Sequence, residues 1–286
     1  MAHRFARLVR GCWQTLWHCG PLLSIASGLS LPSPALAQPV RSGEAFTFAV
    51  KLLGSVDAGR ARLALTPPQQ TPSGPVVRVV GESEALGMAK ALTDWRQRYQ
   101  LTLDATTLLP RRIEQVDTGA HPRQATFVVS GRSFEMTVKK PSGEWHTQGE
   151  LQRELLDPMS VLLLLRGLRL HDGDKLTLAV TGGTALYRGV LTVAGRESLQ
   201  TIYGAKRTIH LLGRGDRLNE REEVIGKSPW LGELWLSDDA ARLPLKISAE
   251  TILGPAEFTL TSYEPGTKPL GIPRNSHAVT VESVGH

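Results

Sequence analysis

The sequence predicts an all-β, mainly antiparallel protein in which a curved sheet or half-barrel carries one buried helix packed on it. Two observations support this fold class. From Ala45 onward, short apolar and β-branched segments alternate with Gly, Pro and Asp, a pattern typical of strands joined by tight turns. A single strongly apolar segment, residues 155–170, interrupts this pattern with the signals of a helix. With 41% hydrophobic and 21% charged residues, the chain has the composition of a globular protein.

The N-terminal residues have the features of a secretory signal peptide. Three arginines lie in the first ten positions, and no Lys, Arg, Asp or Glu occurs between Gly11 and Val40. The Ala-Leu-Ala sequence that ends at Ala37 offers the small residues that signal peptidase requires. We therefore expect cleavage after Ala37 and a periplasmic location. The alternative is a retained membrane anchor, because the uncharged stretch is long enough to span a bilayer, although prolines and glycines interrupt it.

We divide the chain into a signal peptide (1–37), a single β-rich domain (38–264) and a flexible C-terminal tail rich in Pro, Gly and Ser (265–286). Both cysteines, Cys12 and Cys19, lie in the first segment, so a cleaved protein has no cysteine nucleophile or cysteine metal ligand. Little net charge remains once the basic N-terminus is removed, which argues against a nucleic acid partner. No stable transmembrane segment is expected after cleavage.

Each predicted strand is a run of β-branched, apolar or aromatic residues that ends near Gly, Pro, Asp or Ser. A short helix is predicted over residues 85–93. The strands are predicted over residues 45–53, 59–66, 75–83, 95–103, 110–116, 123–130, 133–140, 175–180, 185–195, 205–213, 220–226, 232–237, 243–251 and 255–263.

Residues 157–168 predict the buried helix. Asp157 is a good N-cap, and Pro158 occupies the first helical position, where its missing N–H costs nothing. Residues 161–165 are all apolar, and a helix that is apolar all round is a buried one. With roughly nine residues, it is too short to cross a bilayer. We expect a core helix packed against a sheet or, alternatively, a plug that closes a hydrophobic cavity.

A cavity under this helix has five candidate lining residues. Three of them, Leu162, Leu163 and Leu165, come from the helix itself. The other two, Trp95 and Tyr99, share one face of a strand because side chains alternate with a period of two. The simpler interpretation of these two aromatic residues is core packing, because buried aromatic side chains mostly fill cores.

An internal repeat predicts two similar hairpin turns. Residues 101–113 and 235–247 both read as strand, Asp, four residues, Leu-Pro, one residue, a basic residue and Ile. The alignment pairs Asp104 with Asp238, and an Asp opens such a turn by accepting backbone N–H groups ahead of it. The next residue, Asp239, has only an alanine as its counterpart. We therefore expect Asp104 and Asp238 to hold the turns and Asp239 to be dispensable.

Sequence motifs that indicate an enzyme or a metal site are absent. There is no Gly-x-Ser-x-Gly nucleophile elbow, no phosphate-binding loop and no Gly-x-Gly-x-x-Gly. His171, Asp172 and Asp174 could approach a cation, but a turn between the helix and the next strand explains them better. We predict no catalytic, cofactor-binding or metal-binding residues and no cofactor.

Three segments carry a resemblance to a known family: "GEAFTFAV", "DPMSVLLLLRGLRLHDGD" and "GELWLSDDAARLPLKISAETILGPAEFTL". From about Gly43 to Tyr263, the chain resembles a bacterial exported family, the domain of unknown function number 3108. This resemblance implies no established activity and no catalytic residues. The Asp-turn-Leu-Pro hairpin is also similar to turns in LolA/LolB-type lipoprotein carriers, which are curved half-barrels with helices in an apolar concavity. That similarity concerns the fold, which does not determine function.

The sequence favours a soluble, non-enzymatic periplasmic protein that binds a hydrophobic envelope component such as a lipid, or an envelope protein partner. Two alternatives are a hydrolase of a cell-envelope polymer and a structural envelope module without a ligand. A dry apolar groove under the helix would favour the binding protein. A polar cleft in which His, Asp and Ser converge would favour the enzyme, and a fully packed interior would favour the structural module.

Overall fold

A computed structural model describes residues 40–182, 185–226, 230–251, 254–270 and 278–282. The predicted signal peptide, its cleavage site and both cysteines lie outside these residues. Among the described residues, no helix has both the length and the apolar character needed to cross a membrane.

Strands dominate the described chain, and the predicted mainly antiparallel fold is confirmed. In chain order, the elements are β1 (Arg41–Ser42), β2 (Ala45–Leu52), β3 (Val56–Leu65), β4 (Val76–Ala85), α1 (Gly87–Thr93), β5 (Arg96–Asp104), β6 (Pro110–Thr118), β7 (Arg123–Ser130), β8 (Ser133–Lys140), β9 (Gly143–Glu150), β10 (Leu155–Leu156), α2 (Pro158–Gly167), β11 (Lys175–Thr181), β12 (Leu186–Thr201), β13 (Gly204–Leu218), β14 (Trp230–Ser237), β15 (Pro244–Thr251), β16 (Gly254–Glu264), β17 (Lys268–Pro269) and β18 (Thr280–Glu282).

Two antiparallel meanders make up the main sheet. Strands β2 to β9 each pair with the next in sequence, and so do β11 to β16. The meanders are joined where β16 pairs antiparallel with β2, while the short β10 pairs parallel with β11. Within the described residues, the two ends of this sheet, β9 and β10, do not pair with each other, so the sheet is not closed.

The helix α2 lies between two groups of buried side chains. Leu163 belongs to the larger group, which draws on strands of both meanders. Leu162, Leu164 and Leu165 belong to the second group, which is formed mainly with β11 to β14. All four leucines are buried, so the predicted burial of this helix is confirmed.

Polar contacts hold both ends of α2. At its start, the Asp157 carboxylate accepts the backbone N–H of Ser160 at 2.8 Å, and the Ser160 hydroxyl accepts the backbone N–H of Asp157 at 2.8 Å. This reciprocal pair satisfies donors that a helix start leaves free. At its end, the buried Arg166 donates to both carboxylate oxygens of the buried Glu44, at 2.5 and 3.1 Å. The helix is therefore tied to the sheet near the start of β2.

The strands differ from the predictions in several places; for example, β12 and β13 are five and six residues longer than predicted. The predicted strand 220–226 does not form, because Asn219 accepts the backbone N–H groups of Arg221 and Glu223 and turns the chain there. Strand β9 was not predicted, because its residues are polar and mostly exposed and so lack the apolar alternation that marks a strand.

Two segments of the predicted C-terminal tail form short strands. Strand β17 pairs with β1, and β18 pairs with β11. The apolar side chains of Leu270 and Ala278 are buried beside them. These burials explain why the segments are bound to the domain despite their Pro- and Gly-rich surroundings.

The two hairpin turns differ from the expectation by one residue. Asp104 accepts the backbone N–H groups two and three positions ahead, at 2.8 and 2.9 Å. In the second turn Asp239, and not Asp238, accepts the equivalent pair, at 3.0 and 3.2 Å. The prediction that Asp238 holds this turn is therefore wrong. The cause is loop length: the closing backbone bond runs from Ser237 to Leu243 and spans one residue more than the bond from Asp104 to Leu109.

Asp238 has a different set of partners. Its carboxylate lies 3.1 Å from Arg207, 3.6 Å from Arg242 and 3.8 Å from Arg196. It therefore holds together arginines from β12, β13 and the β14–β15 turn.

Candidate functional site

An apolar cavity of about 480 Å³ lies between α2 and strands β11 to β15; we call it the α2 cavity. The helix contributes Pro158, Met159, Val161, Leu162 and Leu165. All of them except Met159 share one helix face by their spacing. The opposite wall is formed by apolar side chains of the strands, including Leu178, Val180, Leu191, Leu211, Leu234 and Ile247. A cavity of this size lies in the range of small-molecule sites.

Glycines create much of the space in the α2 cavity. Gly189 of β12 lies opposite Gly215 of β13, and Gly213 of β13 lies opposite Gly232 of β14. All four line the cavity, so two adjacent cross-strand pairs bring no side chain to it. A glycine within a strand often marks a place where a ligand approaches the backbone closely. The two-residue spacing of Gly213 and Gly215 was a sequence signal for this gap, because it matches the strand period.

A second cavity of about 380 Å³ adjoins the first at the N-terminus of α2; we call it the Tyr99 cavity. It is lined by apolar residues such as Phe48 and Phe258 but also by polar ones, including Gln97, Gln115 and Arg123. The residues that border both cavities are Pro158, Met159, Thr181, Gly182 and Ile247.

The wall of the Tyr99 cavity contains two linked ionisable groups. The Tyr99 hydroxyl donates to the Asp157 carboxylate, which also caps α2. Burial raises the pKa of Asp157 above its usual range, although the hydrogen bonds from Tyr99 and Ser160 oppose the shift. Burial also raises the pKa of Tyr99 well above its usual value, and the negative charge of Asp157 adds to the effect. The Asp157 carboxylate therefore accepts hydrogen bonds from the Tyr99 hydroxyl and from the first turn of α2.

Nearby, a hydrogen-bonded group surrounds Asp117. Gln97 donates to its carboxylate at 2.9 Å, and Gln115 donates to it at 3.0 and 3.1 Å. Arg123 forms an ion pair with the same carboxylate. The positive charge that Arg123 brings to the Tyr99 cavity is therefore already balanced.

The structure distributes the five predicted lining residues over different places. Leu162 and Leu165 line the α2 cavity, and Tyr99 lines the cavity named after it. Leu163 points into the larger core, and Trp95 borders neither cavity. The glycines and Thr181 were not among the predicted residues.

The described residues contain no group of three or more His, Cys, Asp or Glu side chains that could hold a metal ion. The residues after α2 form a turn, in which Asp174 accepts the backbone N–H of His171 at 2.8 Å. Asp172 forms an ion pair with Arg196.

Comparison with known families identifies the domain. The sequence matches DUF3108, described as a protein of unknown function, over residues 47–261. The chain belongs to this family. The predicted family membership is thereby confirmed. No curated protein matches the sequence of this DUF3108 chain.

Three solved structures are similar to this DUF3108 domain. A β-barrel-like DUF1849 protein from Brucella abortus has a TM-score of 0.47 and 8% identity, over 79% of this chain and 98% of that chain. A Bacteroides fragilis protein with a YmcC-like fold, described as exported, has a TM-score of 0.35 and 10% identity, over 81% and 100%. The hypothetical lipoprotein YmcC of Escherichia coli has a TM-score of 0.32 and 9% identity, over 78% and 85%.

Proposed function

We propose that this DUF3108 protein binds a hydrophobic small molecule of the cell envelope in the α2 cavity. The observation that carries the proposal is that the α2 cavity has apolar walls and that two cross-strand pairs of glycines, which have no side chains, leave space in it. Such walls offer water few hydrogen-bond partners. An apolar ligand that enters gains roughly 25 cal/mol for each Å² removed from water. The periplasmic location is part of the proposal and rests on the N-terminal sequence.

Binding is favoured over hydrolysis of an envelope polymer because of the chemistry of the walls. The charged side chains that line the α2 cavity are Arg214 and Glu233. Glu233 accepts a hydrogen bond from the His210 ring at 2.7 Å. The carboxylate of the buried Asp157 already accepts hydrogen bonds from the start of α2 and from the Tyr99 hydroxyl. A purely structural module is disfavoured because two adjoining cavities remain beside α2 instead of a packed interior.

Filling the cavity tests this proposal. A Cβ atom at Gly189 would lie 3.5 Å from Leu178 and 3.6 Å from Val180, which is ordinary contact, and valine suits a strand. Gly189→Val should therefore fold but weaken binding of the apolar dye N-phenyl-1-naphthylamine by about tenfold, because added methyl groups meet the ligand.

The matched control is Ser198→Val, an exposed position in the same strand, which should bind the dye like the wild type. Dye fluorescence titration measures both affinities, and urea unfolding checks both folds. Equal dye affinity in the folded Gly189→Val variant would show that the α2 cavity is not the binding site.

A further inference from the structure

An unpartnered hydroxyl lies where the two cavities meet. Thr181 is only 1% exposed, and its Oγ1 has no hydrogen-bond partner among the described residues. Thr181 borders both the α2 cavity and the Tyr99 cavity. Buried hydroxyls in folded proteins are nearly always hydrogen-bonded, since an unsatisfied one lowers stability. A ligand atom at this junction could supply the missing partner.

The surrounding charges limit what that ligand atom can be. An anionic group beside Thr181 would face the carboxyl of Asp157 and, at the rim, that of Glu82. The positive charge of Arg123 is already paired with Asp117. That of Arg214, which lines the α2 cavity, is paired with Asp216 at 3.3 Å. An anion at the junction would therefore be buried without a free counter-charge, which is costly.

A cationic group is equally poorly matched. The Asp157 carboxylate already accepts from the Tyr99 hydroxyl and from the backbone N–H groups of Ser160 and Met159. Its oxygens are thus committed to the start of α2. A neutral polar group, such as a carbonyl oxygen that accepts from the threonine hydroxyl, can partner Thr181 without burying a charge.

The two cavities also differ in polarity. Leucines and glycines dominate the α2 cavity, whereas Gln97, Gln115 and Tyr99 bring polar atoms to the other. An amphiphile with an apolar chain and an uncharged head matches this division.

We propose that the ligand is an uncharged acyl ester of the acylglycerol type, an inference that rests on the proposed function. Its acyl chain lies in the α2 cavity, and its head lies in the Tyr99 cavity. The ester carbonyl oxygen accepts a hydrogen bond from Thr181 Oγ1 at the junction.

Competition against N-phenyl-1-naphthylamine tests this inference with two probes that share one chain, monolauroylglycerol and laurate. The wild type should bind monolauroylglycerol at least about tenfold more tightly than laurate, because laurate would bury its negative charge at the junction. Thr181→Val removes the hydroxyl but keeps the branched shape. It should weaken the binding of monolauroylglycerol by roughly threefold to tenfold, the range of one hydrogen bond.

The control Thr177→Val lies in the same strand and borders neither cavity; it should bind both probes like the wild type. Urea unfolding of Thr181→Val should give an unchanged or higher midpoint, because an unsatisfied buried hydroxyl has been removed. If the dye binds but laurate competes as well as the ester, or Thr181→Val leaves ester affinity unchanged, the ester assignment is wrong while the proposed cavity stands. If the wild type binds neither dye nor ester, the proposed function itself fails.

Discussion

Single residues in this domain often have roles that depend on distant partners or on small shifts of register. The β14–β15 turn shows this at two neighbouring carboxylates. Asp239 accepts three hydrogen bonds, from Ser237 Oγ and two backbone N–H groups. Asp238 instead faces three arginines. The first role depends on hydrogen bonds and the second on charge, so salt should separate them.

Alanine substitutions distinguish the two roles. Asp239→Ala should lower the free energy of unfolding by about 1 kcal/mol, because the turn loses its acceptor, and added salt should change this loss little. Asp239→Asn is the conservative control, since its side-chain oxygen can still accept these bonds. The loss caused by Asp238→Ala should shrink as salt increases. Urea unfolding at low and high sodium chloride gives these values. A harmless Asp239→Ala variant would contradict the assignment of the turn to Asp239.

Among the elements, α2 was the easiest to predict and the hardest to place. Its cap at Asp157 and its apolar run are local signals, so its start at Pro158 could be predicted from sequence. Its attachment to the sheet could not, because Arg166 is paired with Glu44, 122 positions earlier. An arginine near a helix end is usually exposed, so sequence alone gives no reason to expect this one to be buried.

The attachment of α2 can be tested by a double-mutant cycle. Arg166→Met should destabilise the protein by about 3–5 kcal/mol, because Glu44 would be left as an uncompensated buried charge. The double variant Glu44→Gln, Arg166→Met should be less destabilised than the sum of the single variants. Urea unfolding of all four proteins gives the coupling energy. Additive losses would indicate that the two side chains are not paired in solution.

The candidate site shows the same division between local and distant information. The apolar helix face was predictable from Val161 to Leu165, and the glycines that oppose it were visible as Gly213 and Gly215. What sequence could not show is that β12, β13 and β14 place their glycines in cross-strand register. Register depends on pairing between strands, and a shift of one residue would turn these positions to the other face.

At the scale of the whole molecule, the join between β16 and β2 connects the two meanders. It pairs Leu260 with Phe48 and Tyr263 with Phe46, and the rings of Tyr263 and Phe46 are stacked with centroids 5.2 Å apart. These residues are more than 200 positions apart in sequence, so the join was not predictable from local patterns. Pairings of such separation slow folding, because a long loop must be ordered before they form.

The shared core predicts that both meanders unfold together. Leu103 of β5 and Leu245 of β15 come from different meanders but are buried in the same larger core. Leu103→Ala and Leu245→Ala should each cost about 2–5 kcal/mol. Each should also shift one common urea transition, whether it is followed by circular dichroism or tryptophan fluorescence.

Hydrogen exchange read by mass spectrometry gives the decisive comparison, because it reports separately on β4 to β8 and on β11 to β16. If the core acts as one unit, either variant should lower protection in both groups of strands by a similar amount. The exposed substitution Ser198→Val in β12 serves as the control and should leave protection unchanged in both groups. Lower protection confined to the meander that carries the substitution would show instead that the two meanders are separately stable, and that the β16–β2 join couples them only weakly.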